Sequence, residues 1–298
     1  MTLWLVYAVL AQILSALTVF IDKYVLVSKE GIKHPAAFAF YTAMLSVFVL
    51  VLLPFGVVAT PTFEILFYSL VSAIVYICSL LFLYRALQEM TVTNVLPITA
   101  SAGAFASGAL ASIFLVQDLP LSFIPAFLLL AVGTFLIYCF CFSIKLFFMS
   151  LAAGALVGAS SFLSKLVFSA SDTFLNGLFW LLIMNVVVAL LLLAPARFYA
   201  IRMSLKESSS GTKWLALLSR SLGGVAFFLT AIAISQGSVT LVNALGGLQL
   251  VFLLILVPLF SHRVPDVFQY ELTRETLILK VVGTVCIVLG LATLFLFS

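Results

Sequence analysis

The chain has 298 residues, 65% of them hydrophobic and 8% charged, with a net charge of +4 and a mean hydropathy of +1.34. A soluble domain carries roughly 25% charged residues, and 14 Lys+Arg with 10 Asp+Glu cannot cover a chain of this length in water. That excludes a soluble enzyme, a secreted disulfide scaffold and a disordered chain, and makes lipid the solvent for most of the surface.

A bilayer core about 30 Å thick takes about 20 apolar residues per helix. Breaks at charges, Pro and Gly predict ten such helices in chain order: 3–27, 35–58, 64–87, 92–116, 121–142, 146–169, 174–196, 213–236, 239–260 and 277–297. Nothing basic precedes Lys23 and the first apolar run is long, so it is read as a membrane helix rather than a cleavable signal. Continuous apolar stretches such as Phe123 to Phe142 exclude a β-barrel, which needs short alternating segments. Most turns are tight, as at Thr60-Pro61-Thr62 and Ser235-Gln236-Gly237-Ser238. Only Arg197 to Thr212 and Ser261 to Thr276 are long and polar. The expected fold is an all-α membrane protein of ten transmembrane helices. Cys78, Cys139, Cys141 and Cys286 all sit in apolar runs without disulfide or metal spacing, so no cofactor or metal is expected. The basic residues form no stripe, so neither is nucleic acid.

The chain repeats itself. Phe20-Ile21-Asp22-Lys23-Tyr24-Val25 is answered 142 residues later by Phe162-Leu163-Ser164-Lys165-Leu166-Val167. Val92-Thr93 recurs as Val239-Thr240 at an offset of 147, and Val132-Gly133-Thr134 as Val282-Gly283-Thr284 at 150. The offsets grow in order, as they do when loops lengthen in a second copy. Two five-helix units are therefore expected, 1–143 and 144–298. Five is odd, so the second unit enters the membrane from the other face. Such an inverted repeat serves alternating access in secondary transporters.

The segment from Phe82-Leu83-Tyr84-Arg85-Ala86-Leu87 through Pro97 to Leu130-Ala131-Val132-Gly133 resembles an EamA repeat of the drug/metabolite transporter superfamily. The same order returns from Phe227-Phe228 through Ser238-Val239-Thr240 to Val282-Gly283. Two departures stand out: Gln117-Asp118 replaces the family's Gly-Glu turn, and Gly246-Gly247 stands where the ninth span would carry Pro, so a kink there would rest on glycine. The resemblance implies a ten-helix inverted-repeat carrier for small organic solutes, often an exporter of amino acids or related metabolites. It also implies a multi-pass protein of a prokaryotic inner (plasma) membrane, with both termini inside.

Charge argues for the other orientation. Sorted by the ten spans, one face holds Lys23, Lys29, Lys33, Arg85, Lys145, Arg197, Arg202, Lys206, Lys213, Arg220, Arg263, Arg274 and Lys280; the other holds Lys165 with Glu64, Asp118 and Asp172. The positive-inside rule puts the first face in the cytoplasm and both termini outside.

A solute pathway shows as polar groups deep in the membrane. Gln12, Ser15, Tyr76, Asn94, Ser101, Ser160, Asn243 and Gln249 are the candidate substrate-binding residues, with Ser72, Ser161 and Asn185 beside them. Asp22, Lys23 and Lys165 are the candidates for gating or coupling. The two lysines are symmetry mates near opposite mouths, and Asp22 is the residue for any proton coupling. Interhelical hydrogen bonds and snorkelling lysines are the plainer readings. Tyr68 and Tyr84 read as interfacial anchors. The small residues of the fourth and sixth spans, including Gly154 to Gly158, read as close helix packing or a dimer contact, in a monomer or homodimer. His34 and His262 read as solvated.

A secondary transporter of a small solute is therefore expected rather than an enzyme. A membrane-embedded transferase acting on a lipid-linked substrate is the main alternative. It would need clustered acids or a His–carboxylate pair, and the ten acids are scattered. An assembly factor would need no inverted repeat.

Overall fold

A computed structural model describes residues 3–28, 31–32, 34–114, 125–126, 128–129, 132–133, 136, 143–193, 199, 201–203, 208–261 and 274–296. All regular structure among them is helical. In chain order the helices are α1 (Leu3–Val27), α2 (Pro35–Met44), α3 (Phe63–Glu89), α4 (Val92–Phe114), α5 (Ile144–Ala170), α6 (Phe174–Val188), α7 (Ser210–Gln236), α8 (Val239–Ala244), α9 (Gly246–Ser261) and α10 (Arg274–Leu296). Helix α2 tightens into a 3-10 helix over Leu45–Phe55, and α6 widens into a π turn over Ala189–Leu193. Among the described residues eight segments are long and apolar enough to cross a membrane, with α8 and α9 forming one of them. The chain is an all-α, multi-pass integral membrane protein.

Local chemistry sets the helix ends. Thr62, Thr173 and Ser209 each accept a hydrogen bond from a backbone N–H three residues on, starting α3, α6 and α7. Pro35 starts α2, its missing donor costing nothing in a first turn. Gly56, at φ 65°, closes the 3-10 segment in the left-handed region, so the expected span 35–58 ends at Phe55. The ninth span breaks at Leu245, between α8 and α9, next to the expected glycine kink. Pro97 lies inside α4, which stays continuous through it. The predicted fifth span, 121–142, falls mostly outside the described residues.

Packing joins helices distant in sequence. Helix α1 lies against α7, α3 against α5, α4 against α5, and α8 and α9 against α4 and α1. The α4–α5 seam is made by glycines: a Cβ on Gly154 would stand 2.3 Å from Thr99 O, and one on Gly158 2.3 Å from Gly103 O. The outer surface is the inverse of a soluble one. Phe48, Phe63, Phe114 and Trp214 are more than 60% exposed, which only a lipid environment accommodates.

Contacts define two ends. The C-termini of α1 and α3 meet where Lys23 Nζ donates to Leu87 O and Met90 O. The C-termini of α5 and α7 meet where Lys165 Nζ donates to Ile234 O, Ser235 O and Gly237 O. Late α1 touches early α7 at Ser219, and early α1 reaches late α7, with Trp4 beside Gly237. Helices α1 and α7 are therefore antiparallel, and the two lysine contacts lie at opposite ends of the bundle. Lys23 belongs to the end where the sequence concentrates its basic residues.

Candidate functional site

Arg220 sits ten residues into α7, where an apolar span offers no water. The neighbouring helices supply what water would. Its Nη2 donates to Asp22 Oδ1 on α1, and Ser219 Oγ donates to the same carboxylate. Nη1 donates to Tyr84 Oη on α3 at 2.7 Å and to Thr42 Oγ1 on α2 at 3.0 Å. Phe38, one turn before Thr42, puts its ring centroid 4.6 Å from the guanidinium carbon and packs edge-on against Tyr84 at 4.9 Å. Asp22, Arg220 and Tyr84 are 3%, 8% and 2% exposed. Four helices are thereby tied together near the basic end by one desolvated ion pair. Arg220 Nε is buried without a hydrogen-bond partner.

The opposite end carries a hollow. A cavity of about 520 Å³ enters between α1, α5, α6 and α7. Asp172 stands exposed in the α5–α6 turn at its mouth, and Phe228 lies deepest along α7. From Gln236 to Phe228 is eight residues, about 12 Å along the helix; eight more lead to Arg220. One helix therefore carries the cavity wall in one half of its length and the buried ion pair in the other. Tyr7, Phe168, Phe174 and Phe228 line it beside Asp172, Gln236 and three serines.

Other polar contacts recur at fixed spacing. Ser219 Oγ donates to Thr18 O across α7–α1 at 3.2 Å; Ser72 Oγ donates to Ser160 O across α3–α5 at 3.3 Å. The donors are 147 residues apart and the acceptors 142. Lys23 and Lys165 differ by the same 142, and their carbonyl partners Leu87 and Ile234, or Met90 and Gly237, by 147. Thr62 and Ser209, the caps of two 27-residue helices, also differ by 147. Gly154 meets Thr99 across α5–α4, and Gln12 meets Gly246 across α1–α9, at these offsets again. Gly133, in the span mostly outside the described residues, lies against Gly283, its own counterpart at 150.

The ion pair breaks the pattern. Asp22 corresponds to Ser164 and Arg220 to Ala73, so the charge exists at the basic end alone.

The sequence-predicted residues are distributed as follows. Gln12 is buried near Gly246, and Ser160 is buried against Ser72. Ser15, Ser101 and Gln249 are half-buried. Tyr76 is half-buried, with its ring 6.1 Å from that of Phe227. Asn94 is buried with Oδ1 unpartnered, and half-buried Asn243 keeps a buried, unpartnered Nδ2. None of the eight lines the cavity described above. The Lys23 and Lys165 side chains turn to protein carbonyls instead of snorkelling: each ammonium caps a helix C-terminus, where exposed carbonyls attract a cation. Asp22 pairs with Arg220.

Tyr84 is not an interfacial anchor, because the arginine draws its hydroxyl inward. Arg220, Thr42 and Phe38 escaped the sequence reading. An arginine well inside an apolar span was the available signal, and it was spent on the charge count of one face.

No family model matches the chain, and no curated protein sequence does. A protein solved by crystallography is similar in structure, with a TM-score of 0.62 over 98% of this chain and 97% of its own, at 15% identity. At that identity the likeness concerns the fold alone.

Proposed function

We propose that this chain is a secondary transporter of small organic metabolites, amino acids among them. It is read as two five-helix units, 1–143 and 144–298, that cross the bilayer upside down relative to each other and work by alternating access. The recurrence of caps and interhelical bonds at offsets of 142 and 147 supports the duplication. Similar C-terminal lysine caps at opposite ends support the inversion. This is the EamA-type architecture that the sequence resembles, in a monomer or homodimer.

The observation that carries the function is the arrangement along α7: a cavity open at one end, a buried Asp22–Arg220 pair closing the other. A channel would need continuous polar space between them. A carrier needs one side open while the other is closed. With the basic end in the cytoplasm, the cavity faces outward and the ion pair is the inner closure. Opening inward then requires α1 and α7 to separate near Asp22 and Arg220. No cofactor enters this cycle.

Counterflow in proteoliposomes tests the reading. Vesicles loaded with an unlabelled amino-acid and amine mixture should accumulate a labelled member of it transiently, above equilibrium. Accumulation no greater than in empty vesicles, across amino acids, nucleosides, sugars and amines, overturns it.

A further inference from the structure

We propose that the cavity between α5, α6 and α7 is a recognition site for organic ammonium ions carrying an apolar or aromatic body. The inference names the solute class of the pathway just described, and so rests on the transporter reading. Three observations carry it.

The first is size. About 520 Å³ lies within the roughly 300–1,000 Å³ of small-molecule sites. The second is the wall. The rings of Phe168 and Phe174 stand 5.2 Å apart and those of Phe174 and Phe228 6.0 Å apart, forming a continuous aromatic surface from the α5–α6 turn inward, with Tyr7 also lining the cavity. Ring faces carry negative potential and attract a cation, most strongly one with weak hydration such as an organic ammonium.

The third is charge. Asp172, at the mouth, is the one Asp, Glu, Lys, Arg or His among the lining residues. The nearest lysine in the sequence of these helices, Lys165, has its ammonium turned to three carbonyls at 2.9–3.1 Å and does not line the cavity. A carboxylate outside and aromatic faces inside form a path along which a cation is attracted first by charge and then by ring faces. An anion would meet Asp172 with no cation of the wall to offset it. The amide of Gln236 and nearby serine hydroxyls leave room for a polar group on the solute.

Binding to the full chain in nanodiscs, followed by titration calorimetry, tests this with three probes of one shape: phenethylammonium, 2-phenylethanol and 3-phenylpropionate. Phenethylammonium should bind about ten-fold tighter than either of the others. Asp172→Asn should weaken it about five-fold, and Phe228→Leu should weaken it similarly. Both variants should keep the parent melting temperature, since Asp172 and Phe228 are both exposed. Equal affinity for the ammonium and the alcohol, tighter binding of the propionate, or unchanged binding in both variants overturns the proposal.

The transporter reading fails separately. Selective ammonium binding without counterflow leaves the site and removes the carrier. Counterflow of other solutes without ammonium preference leaves the carrier and removes this site.

Discussion

Lys23 and Lys165 make the same bond at opposite ends of the protein. Each reaches from the last turns of its own helix to the final carbonyls of another: Lys23 to Leu87 and Met90, Lys165 to Ile234, Ser235 and Gly237. These carbonyls have no partner within their helices, and lipid supplies none. The equivalence follows from that need. In the duplication reading, each unit keeps a cation at such a helix end.

Replacing Lys23 with Met should lower stability by about 1.5–3 kcal/mol, the range for hydrogen bonds to charged groups. Lys165→Met should cost less, because Lys165 is half-buried whereas Lys23 is buried. Melting temperatures in one detergent compare the two. A larger loss for Lys165→Met contradicts the argument.

The Asp22–Arg220 pair predicts a double-mutant cycle. Asp22→Asn or Arg220→Leu alone strands a buried charge or its partners and should destabilise by about 3–5 kcal/mol. The two together should lose clearly less than the sum. In the transporter reading, the double variant should also expose the inner end. A cysteine introduced at Ser219 should then react faster with an impermeant maleimide from the basic side. An additive cycle would mean that the pair is not coupled.

Glycine substitutions separate packing from propensity. Gly154→Ala places a Cβ into Thr99 O and should reduce folded yield, although alanine favours helix by about 1 kcal/mol. Gly224→Ala meets nothing within 4 Å and should be neutral or slightly stabilising. Size-exclusion recovery after mild heating distinguishes them. Equal recovery of the two variants would refute the close α4–α5 approach.

Orientation is testable with fusions. If the basic end lies in the cytoplasm, a phosphatase fused after Ser298 should be active outside, and a fluorescent protein that matures only inside should stay dark. The opposite pattern would place the cavity on the cytoplasmic side and the ion pair outside.

Reading the sequence found Lys23, Lys165 and the offsets because those features are linear: a residue type recurs at a spacing. It missed Arg220 because a guanidinium in a span and one at a span's edge look alike in one dimension. The same limit misassigned Tyr84, whose hydroxyl direction depends on what α7 places opposite it. It also scattered the candidate solute contacts over polar residues. The observed cavity takes Tyr7, Phe168, Phe174 and Phe228 together with polar residues of helix ends, and pattern alone assigns those rings to core or lipid.

Composition alone settled the solvent. With 24 Lys, Arg, Asp and Glu in 298 residues, the backbone has to satisfy its own hydrogen bonds in lipid, and long continuous apolar runs such as Phe123 to Phe142 leave helices rather than a barrel to do so. Which helices meet was decided only in three dimensions. In lipid, apolar faces have no preference among themselves, so pairing falls to close-fitting glycines and a few polar bonds. Asp22 finds Arg220 across 198 positions of sequence, and no local pattern encodes that meeting.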